Sequence, residues 1–155
     1  RYENYFIWFI VHNRYWHNDL CYWLFLPETR KLTKETVYSV NAEKIYNIIT
    51  DNQNWQYRTS LDNLEIFIPD GENEVWQETT NGITILFKTT EKRPFEYYAF
   101  DMSSQIFTGE WRATLTPIDE EQTRFEATES LTFPNPFYKG IKLSFYGFGK
   151  VYANL

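Results

Sequence analysis

A chain of 155 residues is the size of one domain, large enough to bury roughly two thirds of the surface it exposes when unfolded. Hydrophobic residues make up 43% and aromatics 20%, which points to a wide apolar interior walled with rings and so to a small-molecule site. The net charge of −6, with Lys and Arg scattered along the chain, excludes the basic patch that a nucleic-acid binder needs. The single cysteine, Cys21, forms no internal disulfide, so the fold does not depend on an oxidising compartment and a cytoplasmic location fits.

Residues 1–31 read differently from the rest. Residues 5–11 and 21–26 are apolar runs, but His12, Asn13, Arg14, His17, Asn18 and Asp19 lie between them. About 20 uninterrupted apolar residues are never reached, and no intact transmembrane helix is expected. Trp8, Tyr15, Trp16, Tyr22 and Trp23 each carry an apolar body and a polar tip suited to headgroup depth. Peripheral membrane or partner contact through this segment is therefore one expectation; an extension packed on the domain is the other. His12, His17 and Cys21 have one-turn spacing, but no fourth strong ligand accompanies them, so neither metal nor cofactor is expected. The chain does not open on Met, and its native beginning is expected to lie upstream.

From residue 36 the pattern is regular. A strand over 36–40 runs into a helix in which Asn41 caps the first free amides and Ala42, Ile45, Tyr46, Ile48 and Ile49 recur at helical spacing. Asp51 and the asparagines after it stop that helix, and Trp55, Tyr57 and Arg58 mark a second, small one. Leu64, Ile66 and Ile68 then alternate with Glu65 and Phe67 up to the turn at Pro69-Asp70-Gly71. Residues 74–79 carry Trp76 and lead into Asn81-Gly82, a tight-hairpin signal. Ile83, Ile85 and Phe87 alternate with Thr84, Leu86 and Lys88. After Arg93-Pro94, Tyr98, Phe100 and Met102 form one side of a strand and Tyr97, Ala99 and Asp101 the other, with the inward side open.

The clearest strand is 107–117, where Phe107, Gly109, Trp111, Ala113 and Leu115 alternate with polar residues. Across the turn at 119–122, Thr123, Phe125, Ala127, Glu129 and Leu131 share one side of its partner. Asn135 as cap and Pro136 in the first turn then open a terminal helix with the apolar stripe Phe137, Ile141, Phe145, Phe148 and Tyr152. Gly140, Gly147 and Gly149 weaken that helix by roughly 1 kcal/mol each relative to Ala, a deficit that packing on the sheet must offset. Short turns between strands, with no strand–helix–strand repeat, give an antiparallel meander and an α+β domain.

Residues 36–40, then Asn41-Ala42-Glu43-Lys44-Ile45-Tyr46, Thr50-Asp51 and Tyr57-Arg58, resemble the opening of the START-like, Bet v 1-like SRPBCC superfamily, which includes polyketide cyclase/dehydrase-like domains. Phe107-Thr108-Gly109-Glu110-Trp111, residues 123–129 and Asn135-Pro136-Phe137 agree with it, so the likeness spans residues 32–155. It implies a helix-grip fold: a curved antiparallel sheet of six to seven strands wrapped around a long C-terminal helix, two short helices after the first strand, and a cavity between sheet and helix. Residues 1–31 then stand apart, and relatives often carry a membrane anchor before a junction like Phe25-Leu26-Pro27. The sequence departs from the usual pattern at Gln122-Thr123, where relatives often have Gly-Thr, and at Tyr57-Arg58, where they often have Trp-Arg.

The function implied is binding or transport of a hydrophobic small molecule such as a lipid, polyketide or isoprenoid. The expected pocket wall is Trp76, Ile85 and Phe87, then Tyr98 and Phe100, then Trp111 and Ala113, then Phe125, Ala127 and Glu129, with Ser144 and Phe148 from the terminal helix. Glu129 is the most informative of them, because alternation places its carboxylate among Phe125, Ala127 and Leu131, where an unpartnered charge is expensive. It is the candidate to hold a ligand's polar end; pairing with Arg, Lys or Tyr at the rim is the plainer alternative. A cyclase- or dehydratase-like enzyme using Glu129 or a pocket Tyr is the rival function. No Ser-His-Asp set or phosphate-cradling loop is present, and both histidines lie outside the region of resemblance. Asp51, Trp55, Arg58 and Asn135 read as caps, a staple and a rim ion pair.

Overall fold

The computed structural model describes residues 27–56, 58, 61–69 and 73–138, and in these the chain forms one seven-stranded antiparallel sheet with one helix packed against it. In chain order the elements are β1 (Thr29–Tyr38), α1 (Ala42–Thr50), β2 (Asn63–Ile68), β3 (Val75–Thr80), β4 (Ile83–Arg93), β5 (Tyr97–Ser103), β6 (Thr108–Pro117) and β7 (Thr123–Thr132). A 3₁₀ turn, Pro136–Tyr138, follows. Strands β2 to β7 form a simple meander, and β1 closes on the far side of β7 to give the order β1-β7-β6-β5-β4-β3-β2.

β1 begins at Thr29, well before the expected 36–40, and ends at Tyr38. Its ladder with β7 runs unbroken from Thr29 opposite Thr132 to Tyr38 opposite Thr123. Strand formation here comes from the partner and not from an apolar pattern. As an edge strand it is largely exposed, and it is fastened on the outer face by hydroxyl pairs, Thr29 with Thr132 and Thr33 with Thr128, both at 2.8 Å. The Asn81-Gly82 hairpin forms as its residues require, with φ of +50° and +75° at the two positions.

α1 starts where Asn41 Oδ1 accepts the Lys44 amide at 2.9 Å, with Glu43 in its first turn. Ala42, Ile45, Tyr46 and Ile49 are buried and pack on β5 and β6. Asp51 ends it by accepting the amides of Gln53 and Asn54, both at 3.1 Å, which turns the backbone out of helical geometry. The second small helix does not form among the described residues that follow: Trp55, Gln56 and Arg58 lie in successive turns closed by Arg58 N–H to Trp55 O (2.8 Å) and Leu61 N–H to Arg58 O (3.0 Å). Tyr57, expected in that helix, lies outside the described residues.

The core covers one face of the sheet. Register places Met102, Phe100 and Tyr98 of β5 in rows with Gly109, Trp111 and Ala113 of β6 and Leu131, Glu129 and Ala127 of β7. This settles the open side of β5: Tyr98, Phe100 and Met102 point inward. Register shifts between Ile66 and Ile68 in β2 and between Thr89 and Glu91 in β4 are bulges, devices that bend a strand and re-aim its side chains. Asn135 accepts the Phe137 amide at 3.0 Å, the expected cap. The terminal helix expected beyond it lies, from residue 139 on, outside the described residues.

Candidate functional site

The inner face of β5, β6 and β7 is almost entirely apolar, and an array of six rings crosses the sheet from β3 to β7. Trp76 stacks on Phe87 with centroids 5.0 Å apart and planes within 7°, and Phe100 stacks on Trp111 at 5.0 Å and 11°. Edge contacts link the two stacks, Trp76 to Phe100 at 5.4 Å and Phe87 to Phe100 at 5.6 Å. Tyr98 joins at 5.4 Å from Phe100 and 6.0 Å from Trp111, and Phe125 at 6.5 Å from Trp111. Such pairs contribute about 0.5–1.5 kcal/mol each beyond area burial, so the wall is rigid as well as apolar.

Of the expected pocket residues, Trp76, Phe87, Tyr98, Phe100, Trp111, Ala113, Phe125 and Ala127 are buried on this face, and Ile85 is half-buried toward its edge. Glu129 is 2% exposed, set between Trp111 on β6 and Leu32 on β1. It is the one charged residue among the described inward positions of β5, β6 and β7. Ser144 and Phe148 lie outside the described residues.

The β3–β4 corner of the same face has a different chemistry, which strand patterning did not single out. Glu74, just before β3, and Trp76 and Glu78 within it alternate, so both carboxylates are buried with the indole. Arg58 grips Glu78 with two nitrogens, at 2.6 and 2.8 Å, and Trp76 Nε1 donates to the same carboxylate at 3.1 Å. Lys92 donates to Glu74 Oε2 at 3.1 Å, and Asn52, buried just after α1, donates to Glu74 Oε1 at 3.4 Å. Lys92 also lies 5.5 Å from the centre of the Tyr98 ring.

Tyr98 and Thr89 complete this corner. Both are sealed from solvent, and neither hydroxyl reaches a partner with full hydrogen-bond geometry. Burial pushes the Tyr98 phenol well above its ordinary value near 10; the Glu74 carboxylate adds to the shift, while the adjacent Thr89 hydroxyl and Asn52 amide oppose it. Burial also raises Tyr46. The position of Glu74 and Glu78 could have been read from their two-residue spacing about Trp76. Lys92 could not, because the β4 bulge inserts a residue between Thr89 and Glu91 and so brings an even-numbered side chain onto the face of Phe87 and Thr89.

Two surface depressions lie elsewhere, one of about 460 Å³ over α1 beside Asn41, Asn47 and Asp51, the other of about 570 Å³ on the outer face beside Lys88, Asp101 and Glu110. Neither contains a residue of the expected pocket. Among the described residues, no group of His, Cys, Asp and Glu is arranged to hold a metal, and no helix is long and apolar enough to cross a membrane.

No family model matches the sequence, and no curated protein matches it. Solved structures do. Norcoclaurine synthase from Thalictrum flavum, in complex with dopamine and hydroxybenzaldehyde, aligns with a TM-score of 0.64 at 12% identity over 81% of each chain. The Zhui aromatase/cyclase from Streptomyces sp. R1128 gives 0.61 at 13% identity over 69% of this chain and 70% of its own. Ara h 8.0201 gives 0.59 at 13% over 80% and 88%. With the meander order, the β1–β7 closure and the helix after β1, these matches show that the chain has a Bet v 1-like fold.

Proposed function

We propose that the chain binds a hydrophobic small molecule, of the lipid, polyketide or isoprenoid kind, against the inner face of its sheet, and that it carries this ligand without transforming it. One observation carries this: a continuous array of six buried rings running from β3 to β7, whose β5–β7 part bears a single carboxylate, Glu129. A carrier needs a largely dry wall with few polar fixing points. Proteins of the same fold include an aromatase/cyclase and a synthase crystallised with two small aromatic molecules, which supports a ligand of that general shape. Glu129 is assigned the ligand's polar end; Glu129→Gln is expected to weaken binding several-fold, and unchanged affinity would remove it from the site.

A cyclase- or dehydratase-like reaction is the second reading. What favours it is the convergence of Glu74, Lys92, Asn52, Thr89 and Tyr98 at one corner, since proton transfer needs polar groups meeting at a point. Membrane or partner contact through residues 1–31 rests on the sequence alone.

Native mass spectrometry of the purified chain, followed by organic extraction and identification of what is bound, tests the proposal. One apolar molecule per chain, recovered unaltered after prolonged incubation, is the expected result. Its conversion to a product would favour the enzyme. Absence of any extractable compound, together with no uptake of a fluorescent fatty acid, would overturn both.

A further inference from the structure

We propose that Tyr98 and Thr89 form a donor subsite at the β4–β5 corner that takes a neutral oxygen acceptor, the carbonyl of a ketone or quinone on an apolar skeleton. This rests on the hydrophobic-ligand function above and names the ligand's chemical class.

The donors at this corner outnumber the acceptors. Glu74 supplies the nearest carboxylate, and both its oxygens are engaged, Oε1 by Asn52 and Oε2 by Lys92. The Thr89 hydroxyl and the Asn52 amide flank the Tyr98 oxygen, yet neither the phenol nor the Thr89 hydroxyl has a hydrogen-bond partner of full geometry. Even if one hydroxyl turns toward the other, one O–H is left over. A buried polar group without a hydrogen bond is destabilising, so a fold that keeps two of them side by side is set up for a partner that arrives later.

Charge decides which partner. Lys92 and Glu74 cancel, so nothing there draws an ion; the Glu74 carboxylate disfavours an anion beside Tyr98, and the Lys92 ammonium, 5.5 Å from the ring centre, disfavours a cation. A neutral acceptor remains. Burial keeps the phenol protonated at any physiological pH, so it stays a donor. The ring of Tyr98 is part of the array with Phe100 and Trp111, so a flat apolar skeleton lying along those rings directs a carbonyl at its end to the hydroxyl.

The test uses the full chain and two probes with one skeleton, 2-acetylnaphthalene and 2-ethylnaphthalene, titrated by quenching of tryptophan fluorescence. Wild type is expected to bind the ketone roughly 3- to 10-fold more tightly than the hydrocarbon. Tyr98→Phe should abolish that preference and leave the affinity for 2-ethylnaphthalene unchanged. Thr89→Val should reduce the preference, and it stands in should Tyr98→Phe not fold. Equal affinity of wild type for both probes would overturn the subsite and assign the hydroxyls to an internal water; so would a preference that survives both substitutions. Failure of wild type to bind either probe would overturn the ligand-binding function itself, and is distinguished from failure of the subsite by whether 2-ethylnaphthalene binds.

Discussion

The two ends of the inner face bury their side chains equally well but by different physics. On β5, β6 and β7, ring stacking and aliphatic packing fill the space, and the energy comes from apolar area removed from water. At the β3–β4 corner, two carboxylates flank Trp76 and are tolerated only because cations from distant parts of the chain reach them, Arg58 from the loop after α1 and Lys92 from the bulged β4. The dry wall loses stability in proportion to the apolar volume removed, whereas the charged corner loses it because removing one partner leaves the other's charge buried and unpaired. A wall of the first kind holds a ligand by shape, and a corner of the second kind holds it by direction.

Substitutions can break this contrast in order of size. Phe100 touches Trp76, Phe87, Tyr98 and Trp111 at once, so Phe100→Ala should cost about 4 kcal/mol of stability, measured by urea unfolding. Arg58→Met leaves the Glu78 carboxylate buried without its bidentate partner and should cost about 3 kcal/mol. Adding Glu78→Gln to that variant should recover more than half of the loss. A fully additive double mutant would show that the corner is not a coupled pair.

Gly109→Ala should cost about 2 kcal/mol, because a Cβ at that position would meet the Ser130 carbonyl oxygen and Leu131 Cδ2, both at 2.5 Å. A smaller effect would mean that β6 and β7 separate easily there. The phenol of Tyr98 gives the smallest effect and the sharpest sign. Its folded-state pKa is raised, so its contribution is fully present below the unfolded value near 10 and is lost as pH rises beyond it. Wild type should therefore lose about 1 kcal/mol more stability than Tyr98→Phe between pH 10 and 11. Parallel alkaline curves would contradict the burial of that hydroxyl.

How much of this was legible in the sequence depends on the element. β6 and β7 were plain, because both pair on two sides and alternate between apolar and polar residues, β6 strictly and β7 with Glu129 as the charged exception. β1 was mostly hidden: as an edge strand of polar residues it owes its conformation to β7, a partner far away in sequence. The aromatic wall was legible from strand parity, and Glu129 with it. The charged corner was not, since two glutamates in a strand read as an outer face until Arg58 and Lys92 are seen to reach them. One of those ion pairs spans 20 residues, and the other depends on a bulge with no sequence signature. Ser144 and Phe148 remain expectations of the pattern alone.

Isothermal titration calorimetry of the full chain with 2-acetylnaphthalene, at several temperatures, tests ligand binding on the aromatic wall most directly. Saturable one-to-one binding with a negative heat-capacity change, weakened in Phe100→Ala, is the predicted result. No heat at any temperature up to the solubility limit, with no quenching of tryptophan fluorescence, would contradict it and leave the ring array as core packing only.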